Sequence, residues 1–144
     1  MNNRFLLSFF VCALCYLMPS YADEPYEFIG HHLLTSYMGC DEGALTDTKT
    51  LENIMEEAAR ASGATILSSA KHIFPGDGLT MVLLLQESHA SIHTYPEYGA
   101  CFIDLFTCGN SCDEKKFESV LENYLKPTQI NRKFLQRNSV VEEN

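Results

Sequence analysis

The run Leu79-Thr80-Met81-Val82-Leu83-Leu84-Leu85-Gln86 is followed, after only Glu87-Ser88, by His89-Ala90-Ser91-Ile92-His93-Thr94. The first run is almost wholly apolar and reads as a central strand. The second, marked by Ile92 and Thr94, reads as its neighbour across a hairpin-length connection. Upstream, Ala64 to Phe74 reads as a further strand, and Pro75-Gly76-Asp77-Gly78 turns it back. Downstream, Pro96 and Gly99 lead the chain into Ala100 to Thr107, another buried strand, which Gly109-Asn110-Ser111 breaks.

Around this sheet the period changes. From Asp47, Leu51, Ile54, Met55, Ala58 and Ala61 recur at three- and four-residue spacings, which predicts a helix, and Gly63 stands where a C-terminal cap belongs. Asp113 caps a second predicted helix with inner face Phe117, Val120, Leu121, Tyr124 and Leu125, ended by Pro127. Phe28 to Tyr37 supplies the first strand and Ile130 to Leu135 an edge-like last one. The expected architecture is α+β: a two-layer sandwich, mainly antiparallel, with two helices on one face.

At 144 residues, 46% hydrophobic and 20% charged, the chain has material for one domain with a real core. Its first segment reads differently. Arg4 precedes an uncharged stretch from Phe5 to Met18, and Ser20-Tyr21-Ala22 offers small residues of the kind a signal peptidase reads. This run is shorter than the roughly 20 residues of a membrane span. The expected organisation is therefore an export signal over 1–22, a domain over 23–137 and a polar tail over 138–144. The expected location is periplasmic or extracellular, with no membrane attachment once the signal is removed.

The formal charge of -9 becomes -10 without Arg4. An acidic surface argues against nucleic acid or an anionic membrane as partner. Four cysteines remain after export, Cys40, Cys101, Cys108 and Cys112. Two disulfides are conceivable in an oxidising compartment, though the spacing is not that of a disulfide scaffold.

Glu87-Ser88-His89-Ala90-Ser91-Ile92-His93-Thr94-Tyr95-Pro96-Glu97, with Phe106-Thr107-Cys108-Gly109 behind it, concentrates hydroxyl, imidazole, carboxylate and thiol groups. Ser88 lacks the G-x-S-x-G elbow of a triad hydrolase. His89 and His93 have the spacing of helical zinc ligands, but they sit in a strand and lack an H-E-x-x-H glutamate, so no metal is expected. Taken singly, Phe74 reads equally well as core, Glu97 as a solvated turn residue and Cys108 as a small buried hydrophobe. His31 and His32 read as structural.

Together these residues resemble the bacterial and archaeal S-adenosylmethionine decarboxylases, a pyruvoyl-dependent family. The resemblance begins near Gly30-His31-His32-Leu33 and continues through Tyr37-Met38-Gly39-Cys40-Asp41 and Ser62-Gly63-Ala64-Thr65 to the second helix. It implies self-cleavage between Glu87 and Ser88, with Ser88 converted to a pyruvoyl group. It also implies that His93 accepts a proton during processing and that Thr80, where the family usually has Ser, assists. The pyruvoyl carbonyl would take the substrate amine as a Schiff base, and Cys108 would return a proton to the product. Phe74 would stack on the adenine of S-adenosylmethionine, Glu97 would take the ribose hydroxyls, and Phe28 is a second stacking candidate. The implied product is the aminopropyl donor for spermidine.

An extended His89–His93 segment carries His93 about 17 Å from Ser88 and onto the opposite face. A two-fold homodimer in which His93, with Thr80, serves the partner's Ser88 meets that difficulty, and it agrees with the dimers of the family. Two rival readings stand beside the leading one: a pyruvoyl arginine decarboxylase, and an exported non-catalytic binding module whose Cys108 is paired with Cys112 or Cys101.

Overall fold

A computed structural model describes residues 29–108 and 111–138. The expected export signal over 1–22, Phe28 and the tail from 139 lie outside the described residues. Six strands, β1 (Ile29–Met38), β2 (Ile66–Ile73), β3 (Leu79–Leu85), β4 (Ser88–Tyr95), β5 (Ala100–Cys108) and β6 (Gln129–Asn138), form one sheet in the order β2-β3-β4-β5-β1-β6. Every neighbouring pair is antiparallel. Helices α1 (Glu42–Thr46), α2 (Thr48–Ala61) and α3 (Glu114–Leu125) complete the fold. The expected sandwich is present, with a short third helix added to the two expected.

The long helices form where their caps and apolar spacing place them. The Asp47 carboxylate accepts the Thr50 N–H at 3.1 Å and the Thr50 hydroxyl at 2.7 Å, and these bonds hold it below the usual carboxylate range. Leu51, Met55 and Ala58 then point inward together, and Gly63, at φ +95°, turns the chain away. In α3 the Asp113 carboxylate accepts two backbone N–H groups, and Phe117, Leu121 and Leu125 are fully buried. The unexpected α1 is capped in the same way, by Asp41 accepting the Ala44 N–H at 2.9 Å. Five residues are too few to show a helical period.

The helices and one face of the sheet share a single core. Leu79, Met81, Leu83 and Leu85 of β3 meet Ala90 and Ile92 of β4, Cys101, Ile103 and Leu105 of β5, and the inner faces of α2 and α3. One charge reaches this layer: Glu118 accepts the Thr35 hydroxyl and the Arg132 Nε–H, so its burial is compensated.

The apolar run of β3 is an interior strand of the sheet, as expected, with the helices covering one of its faces. Strand alternation turns Val82 and Leu84 to the side away from the helices, where they are 40% and 51% exposed. Met38, Phe102 and Leu135, at 42%, 47% and 48%, continue the same bare face. β2 is an edge strand, exposed from Leu67 to Ile73. β6 is the other edge and runs beyond the expected Leu135 to Asn138.

Candidate active site

Strand β4 begins at the Glu87–Ser88 junction, and backbone contacts define that end. The Glu87 carboxylate accepts the Thr65 N–H at 2.9 Å, and the Gln86 N–H donates to the Thr65 carbonyl at 2.9 Å. The Glu87 carbonyl oxygen accepts the Cys108 N–H, also at 2.9 Å. Ser88 pairs with Thr107 across β4 and β5 and has φ +153°, a value L-residues rarely adopt. Its Oγ lies 3.2 Å from His89 Nδ1. A strained peptide whose carbonyl is polarised by an N–H, with a hydroxyl on the next residue, is suited to internal acyl shift.

An aromatic rim surrounds this junction on the bare face. The Phe106 ring lies 5.3 Å from His32 and 5.6 Å from His89, with the Arg137 guanidinium 4.7 Å from its centre. Burial pushes the His32 imidazole below its ordinary value, against the attraction of Asp104 at 3.9 Å. His32, read from sequence as structural, is thus part of the wall of the Ser88 end.

At the other end of β4, side chains make the site. Thr80 and His93 are register partners, and Thr80 Oγ1 hydrogen-bonds His93 Nδ1. Phe74 is held beside them by its turn: its N–H donates to the Gly78 carbonyl at 2.7 Å, and its own carbonyl accepts the Asp77 N–H at 3.1 Å. Gly76, at φ +85°, supplies the backbone that this turn needs. The Phe74 and His93 ring centres lie 6.0 Å apart and the Tyr95 and His93 ring centres 4.6 Å apart, each pair edge to face. The one-turn helix Pro96–Tyr98 brings Glu97 to the same place, where Gly99 turns the chain at φ +58°.

These side chains line an open cleft of about 480 Å³, bounded by Phe74, Gly76, His93, Tyr95 and Glu97. That volume lies within the range of small-molecule sites. An exposed aromatic face opposite a carboxylate can take a flat heterocycle and an attached polyol.

The expected site residues therefore fall into two groups. Glu87, Ser88 and Cys108 meet at one end of β4, and Thr80, His93, Phe74 and Glu97 meet at the other, about 17 Å of extended strand away. The protomer does not join them. Tyr95 was missed by the sequence reading, although its place two residues after His93 puts both on one strand face. The Cys108 amide carried no sequence signal, because its contact depends on strand register. The feared pairing of Cys108 with Cys101 does not fit the fold: they stand at opposite ends and on opposite faces of β5. Among the described residues, no group of three or more His, Cys, Asp or Glu is placed to hold a metal ion.

The sequence profile of S-adenosylmethionine decarboxylase matches residues 31–138, all of the sheet but the first two residues of β1, with its three helices. The S-adenosylmethionine decarboxylase proenzyme of Thermotoga petrophila is 41% identical over 102 residues, 71% of this chain and 78% of that protein. The proenzyme of Methanococcus aeolicus is 36% identical over 114 residues, 79% of this chain and 97% of its own length. The crystal structure of the adenosylmethionine decarboxylase from Aquifex aeolicus has the same fold, with a TM-score of 0.73 at 30% identity, covering 82% of this chain and 98% of that one. With the sheet, its helices and nearly the full length of such relatives accounted for, the chain belongs to the S-adenosylmethionine decarboxylase family of enzymes.

Proposed function

We propose that this chain cuts itself between Glu87 and Ser88 and then decarboxylates S-adenosylmethionine, releasing carbon dioxide and an aminopropyl donor for spermidine synthesis. The observation that carries the reading is the Glu87 carbonyl, which accepts the Cys108 N–H beside a serine of strained backbone. Attack by the Ser88 hydroxyl on that carbonyl develops negative charge on the oxygen already facing the amide. Collapse breaks the Glu87–Ser88 C–N bond and leaves an ester. Removal of the Ser88 α-proton then expels the Glu87 carboxylate, a far better leaving group than an amide. The resulting dehydroalanine loses ammonia on hydrolysis and leaves a pyruvoyl group.

His93 is the base in this scheme. When His93 donates Nδ1–H to Thr80 Oγ1, its Nε2 keeps the lone pair that takes the proton. Because His93 and Ser88 stand at opposite ends of β4, the proposed active form is a two-fold dimer. The bare sheet face, with Val82, Leu84 and Phe102 exposed, supports face-to-face packing. A two-fold axis running across the strands reverses them, so that the His93 end of one protomer lies over the Ser88 end of its partner.

A pyruvoyl group supplies an electrophilic carbonyl and an electron sink for loss of a carboxyl group. Phe74 stacks on the adenine, Glu97 accepts hydrogen bonds from the ribose hydroxyls, and the exposed Cys108 thiol returns a proton to the product carbon. The named relatives favour S-adenosylmethionine over arginine as substrate. Export directed by residues 1–22 remains part of the same proposal.

Intact mass spectrometry of the purified protein tests the first step. Two products meeting at Glu87 and Ser88, the second blocked by a pyruvoyl group, are expected. A single uncut chain contradicts the reading.

A further inference from the structure

Two thiols of this chain have no part in the chemistry above, and the fold brings them together. Cys101, the second residue of β5, is wholly buried in the helix-covered core. Cys40 lies just beyond β1, where its N–H donates to the Gly99 carbonyl at 2.9 Å, and its half-buried side chain packs against the same core. The β1–β5 register sets Tyr37 opposite Cys101 and Met38 opposite Ala100, so Cys40, held on Gly99, is brought beside Cys101 in the same core. The neighbouring Cys101 thiol lowers Cys40 below its ordinary value. The Cys40 thiol, reinforced by burial, pushes Cys101 up. Cys40 is therefore the more acidic and the more accessible of the pair, which suits an attacking thiolate.

We propose that Cys40 and Cys101 are a disulfide site, oxidised by exchange with a small-molecule or protein disulfide. The Cys40 thiolate attacks one sulfur of the oxidant, forming a mixed disulfide and releasing one oxidant thiol. Cys101 then loses its proton and attacks the Cys40 sulfur, closing the protein disulfide and releasing the second oxidant thiol. Two protein thiols are oxidised, one disulfide is reduced, and no other electron carrier is needed. A disulfide needs its sulfurs at roughly 2.05 Å and its Cα atoms about 4.4 to 6.8 Å apart, a spacing that residues of adjoining segments can meet.

The bond has a consequence that rests on the proposed cleavage. Cys40 lies before the Glu87–Ser88 junction and Cys101 after it, so the disulfide would hold the two products together covalently. It would also occupy Cys101 at the end of β5 remote from Cys108, leaving the proposed proton donor free.

The test uses the full chain and its Ser88→Ala variant, each treated with oxidised glutathione, alkylated and digested without reduction. A peptide pair joining Cys40 to Cys101 is expected in both proteins. In the unsubstituted protein the two cleavage products should run as one species without reductant and as two with it. Cys101→Ala, or Cys40→Ser at the less buried position if the first fails to fold, should abolish the joined species. Alkylation of both Cys40 and Cys101 after oxidation, or linkage of either to Cys108 or Cys112, overturns the proposal. An uncut chain that still carries the Cys40–Cys101 peptide pair contradicts the cleavage reading and supports the disulfide.

Discussion

At the Ser88 end of β4 the contacts that bear on chemistry come mainly from the backbone: the Cys108 N–H on the Glu87 carbonyl, the Gln86 N–H on the Thr65 carbonyl, and the φ of +153° at Ser88. At the Tyr95 end they come from side chains: Thr80 on His93, Phe74 and Tyr95 around the imidazole, and Glu97 on the rim. In the proposed scheme the same strand thus carries the peptide that reacts at one end and the cleft that binds at the other. Backbone placement is set by strand register, which a side-chain substitution on the bare face leaves in place. The side-chain end can be altered one group at a time, so variants there separate building the site from using it.

The largest expected effect is at His93. His93→Ala removes the proposed base and should slow cleavage about 100- to 10,000-fold, the usual range for loss of general base catalysis. Time-resolved electrophoresis of the freshly made chain measures it, and a normal rate would detach His93 from the Ser88 end altogether. Glu97→Gln comes next. It should raise KM for S-adenosylmethionine by about 10-fold or more, the weight of a hydrogen bond to a charged group, while cleavage goes to completion as before. Incomplete cleavage in that variant would show that the two ends of β4 are not separate in function. Thr80→Val is the mildest. Loss of one hydrogen bond to His93 should slow cleavage by about 2- to 10-fold, with KM unchanged in the processed fraction.

Most of the fold was legible because local chemistry and burial agree. Asp47 and Gly63 bracket α2, and Asp113 with Phe117, Leu121 and Leu125 declares α3. The short α1 was missed, since its Asp41 cap has no apolar period behind it. The uncovered face followed from placing both helices on one side, but which β3 residues lie on it did not show, because Val82 and Leu84 are as apolar as their buried neighbours. An uninterrupted apolar run cannot tell a strand covered on both sides from one with an uncovered face.

The site divided in the same way. Ser88, His93, Cys108, Phe74 and Glu97 were singled out by the family resemblance, since Phe74, Glu97 and Cys108 taken singly read as well in structural roles, and the five-residue step along β4 already implied that Ser88 and His93 lie far apart. The Cys108 amide, the Thr65 anchor and the nearness of Cys40 to Cys101 arise from pairings between distant segments. No local pattern encodes those contacts.

Whether the two ends of β4 act together only across a pair of chains is tested by co-expressing differently tagged Ser88→Ala and His93→Ala proteins and weighing each after purification. The first chain keeps His93 and the second keeps Ser88. In mixed dimers the His93→Ala chain should be cut between Glu87 and Ser88, while the Ser88→Ala chain stays whole. Mixed dimers in which the His93→Ala chain stays as uncut as it is alone would contradict the account.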